Sequence, residues 1–242
     1  MSESRVAEAA HAGTAHHEEL GFWRTYIFST DHKMIGRQFY FLGLFMLIIG
    51  GFLAMMMRWQ LAWPETAVPG LSWVPEPTLY EGIIPPQTYN MLFTMHATIM
   101  IFLVVMPIMV GGFGNFLIPL MIGTRDMAFP ALNMLSFWFG LTAGVVMVAS
   151  FFVPGGAAAS GWTAYATLSA KAVYTGVDWG QSLWIISLII LGISSLMGSI
   201  NYITTIVNMR APGMTYFRMP LVIWSLFITA ILLLLALPVL TA

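Results

Sequence analysis

The sequence contains no cysteine and few charged residues. Without cysteine the chain cannot contribute a disulfide, a thiolate-bound copper or an iron–sulfur cluster. Charged residues occupy 8% of the 242 positions, whereas soluble domains carry about 25%. Hydrophobic residues make up 59% of the chain, and its mean hydropathy is +0.83. The composition therefore excludes an ordinary soluble domain and indicates a protein embedded in a lipid bilayer.

Long uncharged stretches divide the chain into candidate membrane spans. Arg37 and Arg58 enclose 20 uncharged residues, Asp178 and Arg210 enclose 31, and 24 follow Arg218. A helix needs about 20 apolar residues to cross a hydrocarbon core of about 30 Å. Prolines and glycines mark the ends of two further spans. We therefore predict an all-α integral membrane protein, a bundle of five transmembrane helices near residues 36–57, 88–118, 131–153, 180–208 and 219–241.

Lysine and arginine fall unevenly on the two sides of this predicted bundle. One side carries only Arg58 and Lys171. The other carries seven basic residues, namely Arg5, Arg24, Lys33, Arg37, Arg125, Arg210 and Arg218. Because cytoplasmic loops carry an excess of Lys and Arg, we predict a cytoplasmic amino terminus.

The first 28 residues differ from the rest of the chain in being mixed polar. They lack the apolar core of a signal peptide, so we do not expect a cleaved leader. We predict a disordered cytoplasmic tail over residues 1–28 and a transmembrane domain over residues 29–242. His11, His16 and His17 in the tail raise the alternative of a metal-binding tract.

His96 lies only a few residues inside the second predicted span. An ionisable side chain in a bilayer is costly and needs a partner, a cavity or a ligand. One interpretation is axial ligation of an iron porphyrin or of another metal, and the alternative is an imidazole hydrogen-bonded to a neighbouring helix. Small residues follow it along the span and would admit either a flat macrocycle or a closely packed helix. They are Ala97, Gly111, Gly112 and Gly114.

Polar residues cluster around the turn between the second and third spans. Asn115, Asp126 and Asn133 flank it, and a carboxylate backed by amides at the mouth of a bundle can take up protons and pass them along ordered water. The alternative is a surface ion pair between Arg125 and Asp126 with two helix-end amides. A second polar group lies inside the fourth span and can line a file of water or form interhelical hydrogen bonds. It comprises Ser194, Ser195, Ser199 and Asn201.

Two residues on the other side of the membrane are further candidates. Arg58 ends the first span in MMMRWQLAWP, and Trp162 lies in the loop between the third and fourth spans. Arg58 is either a snorkelling anchor or a group that faces a buried cofactor, and the Trp162 indole is ordinarily an interfacial group.

Several long stretches of the chain occur together in one known family. They are STDHKMIG, MHATIMIFLVVMPIMVGGFGNFLIPLMIG, RDMAFPALNMLSFW, GWTAY, GISSLMGSINYITTIVNMR and WSLFITAILLLLALPVL. In this order and with matching gaps, they resemble subunit I of the haem-copper cytochrome c oxidases from about Ser29 to the end. RWQLAWP and IIPPQTYN are more similar to the bacterial branch than to the mitochondrial one. The five predicted helices then resemble the first five of the family's twelve.

The resemblance implies a role for each candidate residue. His96 matches an axial ligand of the low-spin haem a, Arg58 a residue that contacts the formyl group of this haem, and Trp162 one near a propionate. Asp126 matches the acid at the mouth of the D proton pathway. The other residues that match this pathway are Asn115, Asn133, Ser194, Ser195 and Asn201.

The resemblance also implies the activity and the setting. The complex would be a respiratory enzyme, an oxidoreductase and translocase that passes electrons from cytochrome c to oxygen, forms water and pumps protons. Expected partners are the remainder of subunit I, subunits II and III, cytochrome c, oxygen and membrane lipid, but not nucleic acid. The expected location is the bacterial inner membrane.

The chain departs from the family in length, because family subunits have twelve helices and this sequence stops after the fifth predicted one. We expect the high-spin haem, the copper and the second low-spin haem ligand to be held by residues outside this chain. The chain would then not be an oxidase alone, but a fragment, a truncated reading frame or one part of a split subunit. The alternatives are part of a quinol oxidase subunit I and a non-catalytic remnant or assembly protein.

Three single positions also depart from the family pattern. Asp31 replaces a common asparagine, and Phe39 stands where a tyrosine is often found near the D pathway. Gln60 replaces a glutamate that supports a cation site in some members, so the resemblance does not extend to a bound calcium or sodium.

Overall fold

The computed structural model describes residues 21–74 and 78–241. Within these residues the chain forms five long helices, each apolar enough to cross a membrane. They are α1 (His32–Ala62), α2 (Pro86–Ile122), α3 (Pro130–Phe152), α4 (Trp179–Asn208) and α5 (Leu221–Thr241). The predicted all-α bundle of five spans is confirmed, and the chain is a multi-pass membrane protein.

Two of the helices, α1 and α2, extend beyond their predicted bounds because local capping signals lie outside the apolar runs, whereas α5 begins two residues later than predicted. α1 begins at His32 rather than near residue 36, since the Asp31 side chain accepts a hydrogen bond from the backbone N–H of Met34. α2 begins with Pro86, whose missing N–H costs nothing at a helix start. It ends at Ile122, and the capping residue that follows, Gly123, adopts a left-handed conformation with φ of 78°.

The end of the predicted tail folds against α1. Residues Trp23–Ile27 form a single wide helical turn, and Gln38 Nε2 donates hydrogen bonds to the carbonyls of Tyr26 and Ile27. The Phe28 ring stacks on Trp138 of α3. Residues 1–20, with the three histidines of the tail, lie outside the described residues.

The middle of α2 is wound more loosely than an α-helix. Ile99–Val105 and Pro107–Gly114 form π-helical turns, in which each carbonyl pairs with the N–H five residues later. Pro107 has no N–H to donate and so interrupts the regular pattern. In the second loose stretch the carbonyls of Val110 and Gly111 accept hydrogen bonds from side chains.

A stripe of glycines brings α1 close to α2. Gly36, Gly43 and Gly50 recur every seven residues and therefore lie on one face of α1. A β-carbon at Gly36 would lie 3.1 Å from the carbonyl oxygen of Gly112, and one at Gly50 would lie 2.7 Å from Met100 Sδ. The absence of side chains at these positions allows the close antiparallel packing of the two helices.

The remaining helices complete the bundle around α4, which packs against both α3 and α5. The loops after α2 and α4 lie at the same end of the bundle, because the N–H of Ala211 donates to the carbonyl of Ile122. His32, at the start of α1, reaches Asp126 at this end as well. We call this end, defined by His32, Asp126 and Ala211, the Asp126 end.

Candidate functional site

His96 lies in the first part of α2 and contacts the glycine stripe of α1. Its Nδ1 is 2.8 Å from the carbonyl oxygen of Gly50. A carbonyl can only accept a hydrogen bond, so Nδ1 carries the proton and Nε2 keeps its lone pair. No hydrogen bond to Nε2 occurs among the described residues. This is the arrangement of metal-binding histidines, which usually donate the other ring N–H to a carbonyl or carboxylate.

The loop that carries Trp162 is fastened next to the His96 turn. The N–H of Gly161 donates to Thr94 Oγ1 at 3.0 Å, two residues before His96. The Trp162 ring lies 6.5 Å from the Phe102 ring and remains 47% exposed. The structure therefore brings Trp162 to the part of α2 that carries His96.

Arg58 lies on the same side of the membrane but apart from these contacts. It is eight residues after Gly50 in α1, which corresponds to about 12 Å along the helix. Its side chain is exposed and has no hydrogen bond or ion pair with another described residue. The structure thus leaves its guanidinium available and does not join it to His96.

The glycines after His96 do not form a pocket for a macrocycle at this histidine. Gly111 lies 15 residues further along α2, about 20 Å away. A β-carbon there would lie 2.7 Å from the Phe39 ring, and one at Gly114 would lie 2.7 Å from the Tyr202 ring. These two glycines accommodate aromatic side chains of neighbouring helices, so the macrocycle interpretation is wrong for them.

Asp126 forms its contacts with His32 rather than with Arg125. Its Oδ1 accepts the N–H of Met127 at 2.7 Å and lies 3.2 Å from His32 Nδ1. His32 is 3% exposed, while the Asp126 side chain is 36% exposed. No ion pair joins Arg125 to Asp126 in the described part of the chain, so the alternative of a surface pair is wrong. Asp126 is a carboxylate in contact with water on one side and with a buried imidazole on the other.

The turn that carries Asp126 is held in place by α4. Asn201 Oδ1 accepts the N–H of Phe129 at 2.9 Å, and Thr205 Oγ1 accepts the N–H of Ala128 at 3.0 Å. Asn201 is fully buried. Its amide therefore fixes the position of the turn, in addition to any contact with water.

Asn115 and Asn133 meet in the interior of the bundle. Asn133 Nδ2 donates to Asn115 Oδ1 at 2.6 Å, and each residue is 1% exposed. They border a cavity of about 50 Å³ together with Ser194 and Ser195 of α4. No hydrogen bond joins Asp126 directly to either asparagine among the described residues.

The serines of α4 form interhelical bonds and also line this cavity. Ser194 Oγ donates to the carbonyl of Ser136 in α3 at 2.6 Å. Ser199 Oγ donates to the carbonyl of Ser195 within α4, and both residues border the cavity. The interhelical hydrogen bond is thus observed for Ser194, while a file of water along these serines stays a prediction.

Comparison with known proteins gives a match over most of the chain. A sequence model of the family described as Cytochrome C and Quinol oxidase polypeptide I matches residues 34–242. The chain belongs to this family. The expected family and the resemblance to subunit I are thereby confirmed.

Curated relatives of this oxidase polypeptide I chain agree. It is 42% identical over 227 residues to a cytochrome c oxidase subunit 1 of Thermostichus vulcanus, covering 93% of the chain and 37% of that protein. It is 43% identical over 220 residues to a putative cytochrome c oxidase subunit 1-beta of Streptomyces coelicolor, covering 91% and 35%. For a cytochrome c oxidase subunit 1 of Synechocystis, the values are 42% over 234 residues, 97% and 38%. The chain spans little more than a third of the length of these relatives.

Three polar residues of this oxidase chain were missed by sequence reasoning. His32, Ser136 and Tyr202 contact the predicted site residues, yet none was singled out. His32 could have been found from the topology. Two spans separate the start of α1 from the α2–α3 turn, so both lie on the same side of the membrane. Ser136 follows Asn133 by three residues and so shares its helix face.

Proposed function

We propose that this chain is the part of oxidase subunit I that holds one side of the low-spin haem a and begins the D proton pathway. The observation that carries the proposal is the hydrogen bond from His96 Nδ1 to Gly50, which leaves Nε2 free to bind a metal. The family match and the three subunit 1 relatives support it.

The residues around His96 fit a haem. The imidazole is fixed in one tautomer, its Nε2 has no competing partner among the described residues, and the ring is only partly buried by the five helices. When bound, the haem supplies a one-electron carrier. The Gly50 carbonyl orients the imidazole and raises its basicity through the Nδ1 hydrogen bond. Trp162 and Arg58 would lie toward the polar edge groups of the haem.

The residues at the Asp126 end fit a route for protons. Asp126 contacts bulk water and can exchange a proton with it, which an asparagine cannot do. Beyond it lies the cavity bordered by Asn115, Asn133, Ser194 and Ser195, whose polar groups can order water. Asn201 holds the turn between them. Protons taken up at Asp126 would pass along such water toward the interior.

The activity proposed for the whole complex is oxidation of cytochrome c by oxygen with outward pumping of protons. Subunits II and III and the remainder of subunit I would be its partners, and the high-spin haem and copper would be held by residues outside this chain. The family description covers both cytochrome c and quinol oxidases. The names of the three relatives favour cytochrome c as the donor.

An optical spectrum of the purified complex tests this function against a non-catalytic remnant. We expect the reduced-minus-oxidised spectrum of the complex that contains this chain to show a low-spin haem and a high-spin haem. A complex that contains no haem would show that the fold is kept without redox work. In a complex that does contain haem, subunit II identifies the electron donor. A copper-binding site in subunit II would indicate cytochrome c, and the absence of such a site would indicate a quinol.

We also propose that the protein lies in the bacterial cytoplasmic membrane with the Asp126 end on the cytoplasmic side. A reporter enzyme that is active only in the periplasm should give signal when it is fused after Ala242 and none when it is fused after Arg125. The reason is the bias of Lys and Arg toward the Asp126 end. The opposite pattern of signals would mean that Asp126 faces the periplasm and takes no part in proton uptake from the cytoplasm.

A further inference from the structure

Tyr202 of α4 is a buried polar residue to which neither the family resemblance nor the proposed pathway gives a role. It is 2% exposed. Its hydroxyl donates a hydrogen bond to the carbonyl of Val110 at 2.6 Å and accepts one from Asn115 Nδ2 at 3.1 Å. The phenol therefore connects the loose π-helical stretch of α2 with the asparagine pair.

The orientation of both asparagine amides follows from these contacts. Asn115 Nδ2 also donates to the carbonyl of Gly111 at 2.6 Å, and a carbonyl can only accept. The NH₂ group of Asn115 must therefore face Gly111 and Tyr202, and its Oδ1 must face Asn133. Asn133 in turn must present its NH₂ group to Asn115. All donors in this chain of hydrogen bonds point in one direction, from Asn133 through Asn115 to Tyr202.

Because all donors point this way, one acceptor at the Asn133 end of this series of hydrogen bonds has no partner in the series. Asn133 Oδ1 is buried and has no hydrogen-bond partner among the described residues. Asn133 borders the cavity of about 50 Å³, which exceeds the roughly 10–15 Å³ that one water needs. Because a buried acceptor without a partner is unfavourable, the carbonyl of Asn133 is suited to bind a water there.

Tyr202 contributes the phenol hydroxyl of this cavity. Phe39 also borders it, but without a hydroxyl, at the position where the family often has a tyrosine. Gly114 makes room for the Tyr202 ring, since a β-carbon there would lie 2.7 Å from the hydroxyl oxygen. The absence of a side chain at Gly114 of α2 thus allows the Tyr202 ring of α4 to lie at this position.

We propose that Tyr202 is a positioning residue for proton uptake, an inference that rests on the proposed proton route through Asp126. By accepting from Asn115 and donating to Val110, it fixes both amides so that Asn133 Oδ1 holds a water at one place in the cavity. Without the hydroxyl, the NH₂ group of Asn115 still donates to the Gly111 carbonyl but has lost its second acceptor. The water bound by Asn133 then loses its fixed position.

The test is Tyr202→Phe in the oxidase complex that contains this chain. We expect unchanged haem content and unchanged electron input to the low-spin haem. Proton uptake during a single turnover, followed with a pH dye, should slow by about two- to tenfold, the equivalent of one lost hydrogen bond. Tyr40→Phe is the matched control, because Tyr40 is 39% exposed and its hydroxyl has no hydrogen bond among the described residues.

Asp126→Asn in the same assay separates the inference from the route on which it rests. If Asp126→Asn slows proton uptake and Tyr202→Phe matches the wild type, the role of Tyr202 is wrong and the route stands. If neither variant slows it, the route is wrong as well. Loss of haem in both Tyr202→Phe and Gly114→Ala would show a structural role and overturn the inference.

Gly114→Ala provides a second variant that keeps the hydroxyl and displaces it from Asn115. Slower proton uptake with an unchanged haem spectrum supports the positioning role if Tyr202→Phe does not assemble. Proton uptake at the wild-type rate in an assembled Gly114→Ala complex contradicts it.

Discussion

Replacing His96 with alanine is expected to remove the low-spin haem signal from the oxidase complex while the five helices still assemble. The imidazole nitrogen that can bind iron is lost, and no other described residue takes its place. Alanine is well tolerated in a helix. The Gly50 carbonyl loses one hydrogen bond, at a cost of about 0.5–1.5 kcal/mol, but it can keep a backbone partner within α1.

The optical spectrum and the haem content of the purified complex measure this effect. Asn90→Ala is a suitable control, because it is also a polar residue of α2 replaced by alanine, on an exposed position before His96. The control should keep both haems. An unchanged low-spin spectrum in His96→Ala would show that His96 only joins α2 to α1.

The second large effect is expected for Asp126→Asn, which should lower steady-state oxygen uptake by at least about tenfold and abolish proton pumping. An amide cannot release and take up a proton, so the variant lacks the group that collects protons from water. Haem content and assembly should remain near normal.

The contacts of Asp126 explain why the fold should survive this substitution. Its Oδ1 accepts the Met127 N–H and faces His32 Nδ1, and an asparagine can place its own oxygen at the same point. The loss is therefore the loss of a proton donor and not of a hydrogen-bond acceptor. Thr205 and Asn201 continue to hold the turn.

Proton release by vesicles that contain the variant complex, recorded together with oxygen uptake, tests this prediction. Asp178→Asn is the matched control, because it makes the same change on an exposed residue at the opposite end of the bundle. Wild-type pumping and turnover in Asp126→Asn would show that this carboxylate has no part in proton uptake. A complex without haem would show that it is structural.

The five helices could be predicted because the bilayer imposes length and composition on each span. The helix ends could not be predicted from span length and composition alone. Asp31 and Pro86 lie outside the apolar runs, and they move the starts of α1 and α2 outward through capping and through a missing N–H.

His96 could be predicted as a candidate because a histidine is rare in a span, but its orientation could not. Gly50 is 46 residues away in the chain, and only the packing of α1 on α2 shows that its carbonyl selects the tautomer. The π-helical turns of α2 were likewise invisible in the hydrophobic pattern, which is too uniform there to show a change of period.

The polar site at the Asp126 end was predicted in part. Asp126, Asn115 and Asn133 follow from their places around one turn, whereas His32 and Tyr202 come from helices that are distant in the sequence. Their contacts depend on side-chain packing between helices. Adjacency in sequence predicts an Arg125–Asp126 pair, whereas the contact of Asp126 with His32 depends on how the start of α1 packs against the turn.

The most direct test of the central claim, that His96 binds the low-spin haem through Nε2, is electron paramagnetic resonance of the oxidised complex with and without added imidazole. The low-spin ferric signal per complex should be present in the wild type and absent in His96→Ala. Free imidazole, which fits the space left by the side chain, should restore it in the variant. A low-spin signal of wild-type size and shape in His96→Ala without imidazole would contradict the account.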